Sequence, residues 1–174
     1  VPLFLIIVLV AMITIYLMCR KRYVDTKIVI VNILFILSLI AILLVTVFPQ
    51  SYGAEMPRIV NYVPFIGMYN ILFHSIDIIV PISNLGFNIL LFVPFGFFLS
   101  FINSSNKKSV FKIILMGLFL SLFIEVVQYV VPMGRSADVD DLILNTVGTY
   151  LGYIVWKVLN VKSSNIFTLK TKKT

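Results

Sequence analysis

The sequence holds very little of what most catalytic or metal-binding proteins are built from. It has one cysteine, Cys19, and one histidine, His74. A lone cysteine excludes an internal disulfide and a cysteine-rich metal site. With no second histidine to help it, His74 reads as an interfacial polar residue rather than a metal ligand. Charge is scarce too: charged residues make up 12% of the 174, and only seven are Asp or Glu. The chain contains no internal repeat and no stretch whose composition marks a detachable soluble domain.

What is present is apolar. Hydrophobic residues account for 60% of the chain, more than a soluble domain of this size can hide. Part of the solvent must therefore be lipid. The formal net charge of +7 then reflects Lys and Arg in cytoplasmic loops facing anionic lipid, not a nucleic-acid partner. Five runs are long enough to cross the hydrocarbon layer: 2–19, 28–48, 85–102, 110–131 and 142–159. The first run is followed, not preceded, by basic residues, the reverse of a secretory signal, so it reads as a retained helix.

Charge places the loops. Arg20, Lys21, Arg22 and Lys27 put the first loop in the cytoplasm. Lys107, Lys108 and Lys112 do so for the third loop, and Lys157, Lys162, Lys170, Lys172 and Lys173 for the tail. The remaining loops carry only Arg58 and Arg135. The positive-inside rule then gives a multi-pass cell-membrane protein, N-terminus outside and C-terminus cytoplasmic. Residues 65–80 compete as a sixth span, but crossing there would move a basic loop outside. Gly67, Asn70, His74 and Asp77 make a narrow polar stripe at helical spacing, which suits an interfacial or re-entrant helix. The expected fold is all-α, with about five transmembrane helices plus that amphipathic helix. Residues 1–60 form a two-helix scaffold, 61–160 the core of the same domain, and 161–174 a basic cytoplasmic tail.

The scarce polar residues gather at one depth. Asn84 and Asn88, Glu125 and Gln128, and Asp141 and Asn145 each sit three or four apart, so each pair shares a helix face. Ser121 extends the Glu125 stripe by one turn. All lie near the outer ends of their spans, where an ionisable group normally faces protein or a wet cavity. Together they suggest one polar pocket open to the outside, with Arg135 as the basic residue of its loop. Asp138 and Asp140 also suit an N-cap and first turn, where carboxylates take orphan backbone N–H groups. Gly148 and Gly152 form a GxxxG that permits close helix contact. Pro94, with Gly96 beside it, should kink and locally unwind its helix. Ser136 follows Arg135 but has no nearby histidine to activate it.

Residues 61–152 resemble the VanZ-like family of bacterial membrane proteins. The resemblance runs through "NYVPF", "NILLFVPFGFFLS" and "SLFIEVVQYVVPMGRSADVDDLILNTVGTYLG". Asn61, Pro64 and Phe65 match its first block, and Asn88, Pro94 and Gly96 its middle one. Glu125, Gln128, Arg135, Asp138, Asp141, Asn145, Gly148 and Gly152 match its most specific block. The name-giving member is associated with resistance to the lipoglycopeptide teicoplanin. The resemblance thus implies a membrane fold and an antibiotic context, and no reaction. The two earliest spans carry no family motif and read as scaffold.

Three functions fit these residues. In the first, the pocket binds or modifies an amphiphile from the outer leaflet with an anionic head, a lipid-linked envelope component or a lipoglycopeptide. Arg135 would take the anion through its bidentate fork, and Asn88, Glu125, Gln128, Asp138, Asp140, Asp141 and Asn145 would line the head-group site. In the second, the protein is an enzyme on a lipid-phosphate substrate. Glu125 and Asp141 would be its acid and base, or Asp138, Asp140 and Asp141 would hold Mg²⁺ against a pyrophosphate. A second acidic cluster would strengthen the metal version, and the sequence has none. In the third, the same residues are an internal lock that assembles the helices. No cofactor is implied, and membrane lipids are the expected partners.

Overall fold

The structure is a computed structural model that describes residues 26–47, 60–74, 76–77, 79–103, 110–131 and 137–171. The side chains of Val80 and of 161–171 are outside that description. Among the described residues there are five helices: α1 Thr26–Val47, α2 Ile66–His74, α3 Ile79–Ile102, α4 Val110–Val130 and α5 Val139–Thr171. Four of them, all but α2, are long and apolar enough to cross a membrane. The chain is an all-α membrane protein. The expected span at 2–19 lies outside the described residues, as do Arg135 and Ser136.

Each long helix follows an apolar run, and its outward side chains are ones that lipid solvates. Leu37 and Val45 on α1, Phe87 and Leu90 on α3, and Phe119 and Phe123 on α4 are all exposed. Inside, Ile42, Phe92, Phe95, Leu99, Ile113 and Ile124 form one core, with Phe35 stacked on Phe95 at 5.5 Å between ring centroids. Leaving lipid for protein gains little hydrophobic energy, so close packing has to hold such helices together. The tightest approach is α3 against α5. A Cβ added to Gly148 would stand 2.2 Å from the carbonyl oxygen of Ile89, and one on Gly152 2.2 Å from that of Val93. One on Gly96 would stand 2.1 Å from the Thr149 carbonyl oxygen. The GxxxG thus does what its spacing suggests, and Gly96 answers it from the facing helix.

Several details depart from the sequence reading. Helix α3 starts at Ile79, six residues before the apolar run, because Asp77 accepts the Ile79 N–H at 2.9 Å and opens the helix there. Asp77 is therefore off the expected polar stripe: α2 ends at His74. At nine residues α2 is about 13 Å long and cannot span the bilayer. Helix α3 runs unbroken through Pro94, which faces outward. The local unwinding expected beside Gly96 does not occur, since that glycine serves close packing instead. A short parallel pairing also appears, Val60 with Ala137 and Asn61 with Asp138 (β1 Val60–Asn61, β2 Ala137–Asp138). Helix α5 continues to Thr171, past the start of the expected tail.

Cross-helix bonds settle how the helices run. Gln128 near the end of α4 meets Thr46 near the end of α1, and Glu125 meets Asp138 at the start of α5. Asn88 in the first half of α3 meets Asp141 in the first turn of α5. Long helices that follow one another in the chain therefore alternate in direction, and α3 runs parallel to α5. Among the described side chains, all the acids gather at one end of the bundle. Lys27, Lys112 and Lys157 lie toward the other end, near the start of α1, the start of α4 and the far part of α5.

Candidate functional site

The acid-bearing end is built around the start of α5. Asp138 stands where an N-cap belongs, and its Oδ1 accepts the Asp140 N–H at 2.9 Å. The same oxygen accepts from Asn61 Nδ2 at 3.1 Å, which ties the β1 segment down beside it. Asp138's own N–H donates to Glu125 Oε2 at 2.8 Å, so a buried carboxylate on α4 fixes the cap of α5.

Asp140 is turned away from its own helix. Its Oδ1 accepts the Phe65 N–H at 2.6 Å and its Oδ2 the Met68 N–H at 2.9 Å. The Met68 N–H belongs to the first turn of α2, and the Phe65 N–H to its cap position, where Phe65 has no side-chain acceptor of its own. Asp140 supplies from 72 residues away what a local Ser or Asp normally supplies. The junction is tight: a Cβ on Gly67 would stand 2.9 Å from Asp140 Oδ2 and 3.0 Å from Asp138 Oδ2. Phe65 sits at φ 70°, uncommon for a bulky residue, and the Asp140 bond holds it there.

Below this junction the polar groups pair across helices inside the bundle. Asn88 on α3 donates to Asp141 on α5. Asn145 Nδ2 donates to Ser121 Oγ at 2.8 Å, joining α5 to α4. Gln128 Nε2 donates to the backbone carbonyl of Thr46 at 2.8 Å, joining α4 to α1. Thr149 completes the column, its hydroxyl bonded to the Asn145 carbonyl at 3.0 Å. Ser121, Glu125, Gln128, Asp140, Asn145 and Thr149 are all buried.

Of the residues singled out from the sequence, Asn88, Glu125, Gln128, Asp138, Asp140, Asp141 and Asn145 thus come together at one end of the bundle. Asn84 is exposed and stands outside this network. Among the described residues no three acids, histidines or cysteines are placed to hold a metal ion. The triad Asp138, Asp140 and Asp141 does not converge, because two of the carboxylates turn to backbone N–H groups and the third meets Asn88. Sequence reasoning missed Thr46, Thr149 and the role of Asn61. It took the 28–48 run for scaffold, yet Thr46 lends that run's helix to the site. A backbone carbonyl leaves no mark in the sequence. The polar step at Thr46, whose hydroxyl turns back to the Ile42 carbonyl, was the one available signal.

Fold and site together define a multi-pass all-α membrane protein with a buried polar network at one end of its bundle. The family model described as VanZ/LLP1 matches residues 35–160, well over half the chain, and the protein belongs to that family. No curated protein and no solved structure matches it significantly.

Proposed function

We propose that the protein is a cell-envelope component whose polar end opens to the outside and takes the head group of an amphiphile from the outer leaflet. The head is anionic, as on a lipid-linked envelope intermediate or a lipoglycopeptide antibiotic. The observation that carries this reading is the gathering of Asn88, Glu125, Gln128, Asp141 and Asn145 from three apolar helices into cross-helix bonds at one end of the bundle. Polar groups are costly in such helices, and they concentrate where a membrane protein meets its ligand. The positive-inside rule supports the orientation, because the described lysines lie away from the acids. Arg135, two residues before β2, supplies the cation for the head group. Membership of the VanZ/LLP1 family supports a contribution to resistance against teicoplanin-type drugs.

One observation favours a different reading, a structural lock. Asp138 and Asp140 spend their carboxylates on helix starts. Glu125→Gln separates the two readings, because an amide oxygen still accepts the Asp138 N–H while the charge is gone. A ligand site predicts a near-normal melting temperature in detergent together with lost teicoplanin tolerance and the envelope-lipid profile of a deletion strain. A lock predicts a large fall in melting temperature. Normal melting with full activity would refute the ligand site.

A further inference from the structure

Two oxygens in the polar network have no hydrogen-bond partner: Gln128 Oε1 and Asn145 Oδ1. Their residues are 7% and 2% exposed. A buried acceptor left bare costs free energy, and most such groups in folded proteins are satisfied. The Gln128 amide cannot simply be turned over to cure this. Its nitrogen faces the Thr46 carbonyl, which only accepts, so its oxygen is the end left over. Asn145 presents its nitrogen to the Ser121 hydroxyl. The Gln128 and Asn145 oxygens are the two buried acceptors left over among the described residues.

The two bare oxygens are far apart. Asn145 meets Ser121, and Ser121 lies seven residues from Gln128 on α4, about 10 Å along the helix axis. Glu125 lies between those levels. A single small cation cannot touch both ends. A head group with several donors can.

We propose that Gln128 and Asn145 are acceptor positions for a donor-bearing head group, its hydroxyls or amide N–H groups bonding to Oε1 and Oδ1. The claim rests on the amphiphile-binding reading and narrows it. The ligand's anion alone does not define it; the polyol or amide part of the head does. Gln128 and Asn145 then select among lipids of the same charge.

The test uses the full chain in phosphatidylcholine nanodiscs doped equally with phosphatidylinositol and phosphatidic acid of matched acyl chains. Both carry a phosphate, but only phosphatidylinositol adds a ring of hydroxyls. Lipid retained by the protein is counted by native mass spectrometry. The expected result is a preference of roughly tenfold for phosphatidylinositol over phosphatidic acid. Gln128→Met and Asn145→Leu should each reduce that preference toward unity by losing more phosphatidylinositol than phosphatidic acid. Equal retention of the two lipids by the wild type would overturn the donor claim and leave the anionic-head reading standing. Retention of neither above phosphatidylcholine would overturn both. If the variants keep the preference, or lose both lipids together, the two amides do not read the head group and the proposal fails.

Discussion

Asp140 caps a helix to which it does not belong, its Oδ2 taking the N–H of Met68 at 2.9 Å across 72 residues of chain. The bond is part-buried and charge-assisted, and a second one to the Phe65 N–H stands beside it. Asp140→Ala should cost on the order of 3 kcal/mol, since two donors lose a carboxylate. Asp140→Asn keeps one good acceptor and should cost about half as much. Melting in detergent measures the loss. Hydrogen exchange at Met68 locates it, because the amide should exchange faster in both variants while α4 amides stay protected. Unchanged exchange at Met68 would show that α2 holds itself together.

The α3–α5 contact predicts which glycines tolerate a methyl group. Gly152→Ala places a carbon against the Val93 carbonyl, a backbone atom that cannot step aside. It should destabilise by about 1–3 kcal/mol. Gly96→Ala should behave likewise against Thr149. Gly86→Ala is the control, since nothing lies within 4 Å of its added Cβ. Its stability should be unchanged or raised by about 0.5–1 kcal/mol, the usual helix gain of Ala over Gly. Thermal melts of the three variants decide the matter.

Orientation has a direct test. In a Cys19→Ser background, Ile76→Cys should react with a membrane-impermeant thiol reagent on intact cells, since Ile76 is fully exposed beside the acid-bearing end. Ser105→Cys, in the lysine-rich segment between α3 and α4, should react only after lysis. The reverse pattern would turn the protein over and place its polar end in the cytoplasm.

The Asn61–Asp138 bond should matter less than the Asp140 bonds. It joins a neutral amide to a carboxylate that is already engaged by the Asp140 N–H. Asn61→Ala should cost about 1 kcal/mol. Combined with Asp140→Ala it should cost less than the sum, because both changes release the same segment. A strictly additive double variant would argue against a single docked unit.

Much of this architecture was legible in the sequence because lipid imposes simple requirements. A membrane-spanning helix needs about twenty apolar residues, and the runs at 28–48, 85–102, 110–131 and 142–159 satisfy that. The polar faces of α3, α4 and α5 were legible for the same reason, since Asn88, Glu125 and Asn145 stand out against Leu and Phe. What stayed hidden involves the backbone or distant partners. Nothing near Phe65 announces that its N–H meets Asp140. Nothing in the 28–48 run marks the Thr46 carbonyl as the partner of Gln128. The start of α3 was misplaced because Pro81 and Asn84 interrupt the apolar pattern, whereas Asp77 fixes the true beginning. The acids "DVDD" read equally well as caps and as ligands. Only the folded structure shows two of them on helix starts and a third on Asn88.

The remote cap of α2 also sets an order of events during synthesis. Phe65 leaves the ribosome 75 residues before Asp140. At about 5–20 residues per second, that is a delay of roughly 4–15 s. Throughout it, α2 has neither the cap nor the β2 segment that will hold its entry strand. Helices α3 and α4 are made in this interval, so they reach the membrane before the short helix can dock. The last turn of the assembly is therefore closed from the far end of the chain, and a protein truncated before Asp140 would insert most of its helices yet never seat α2.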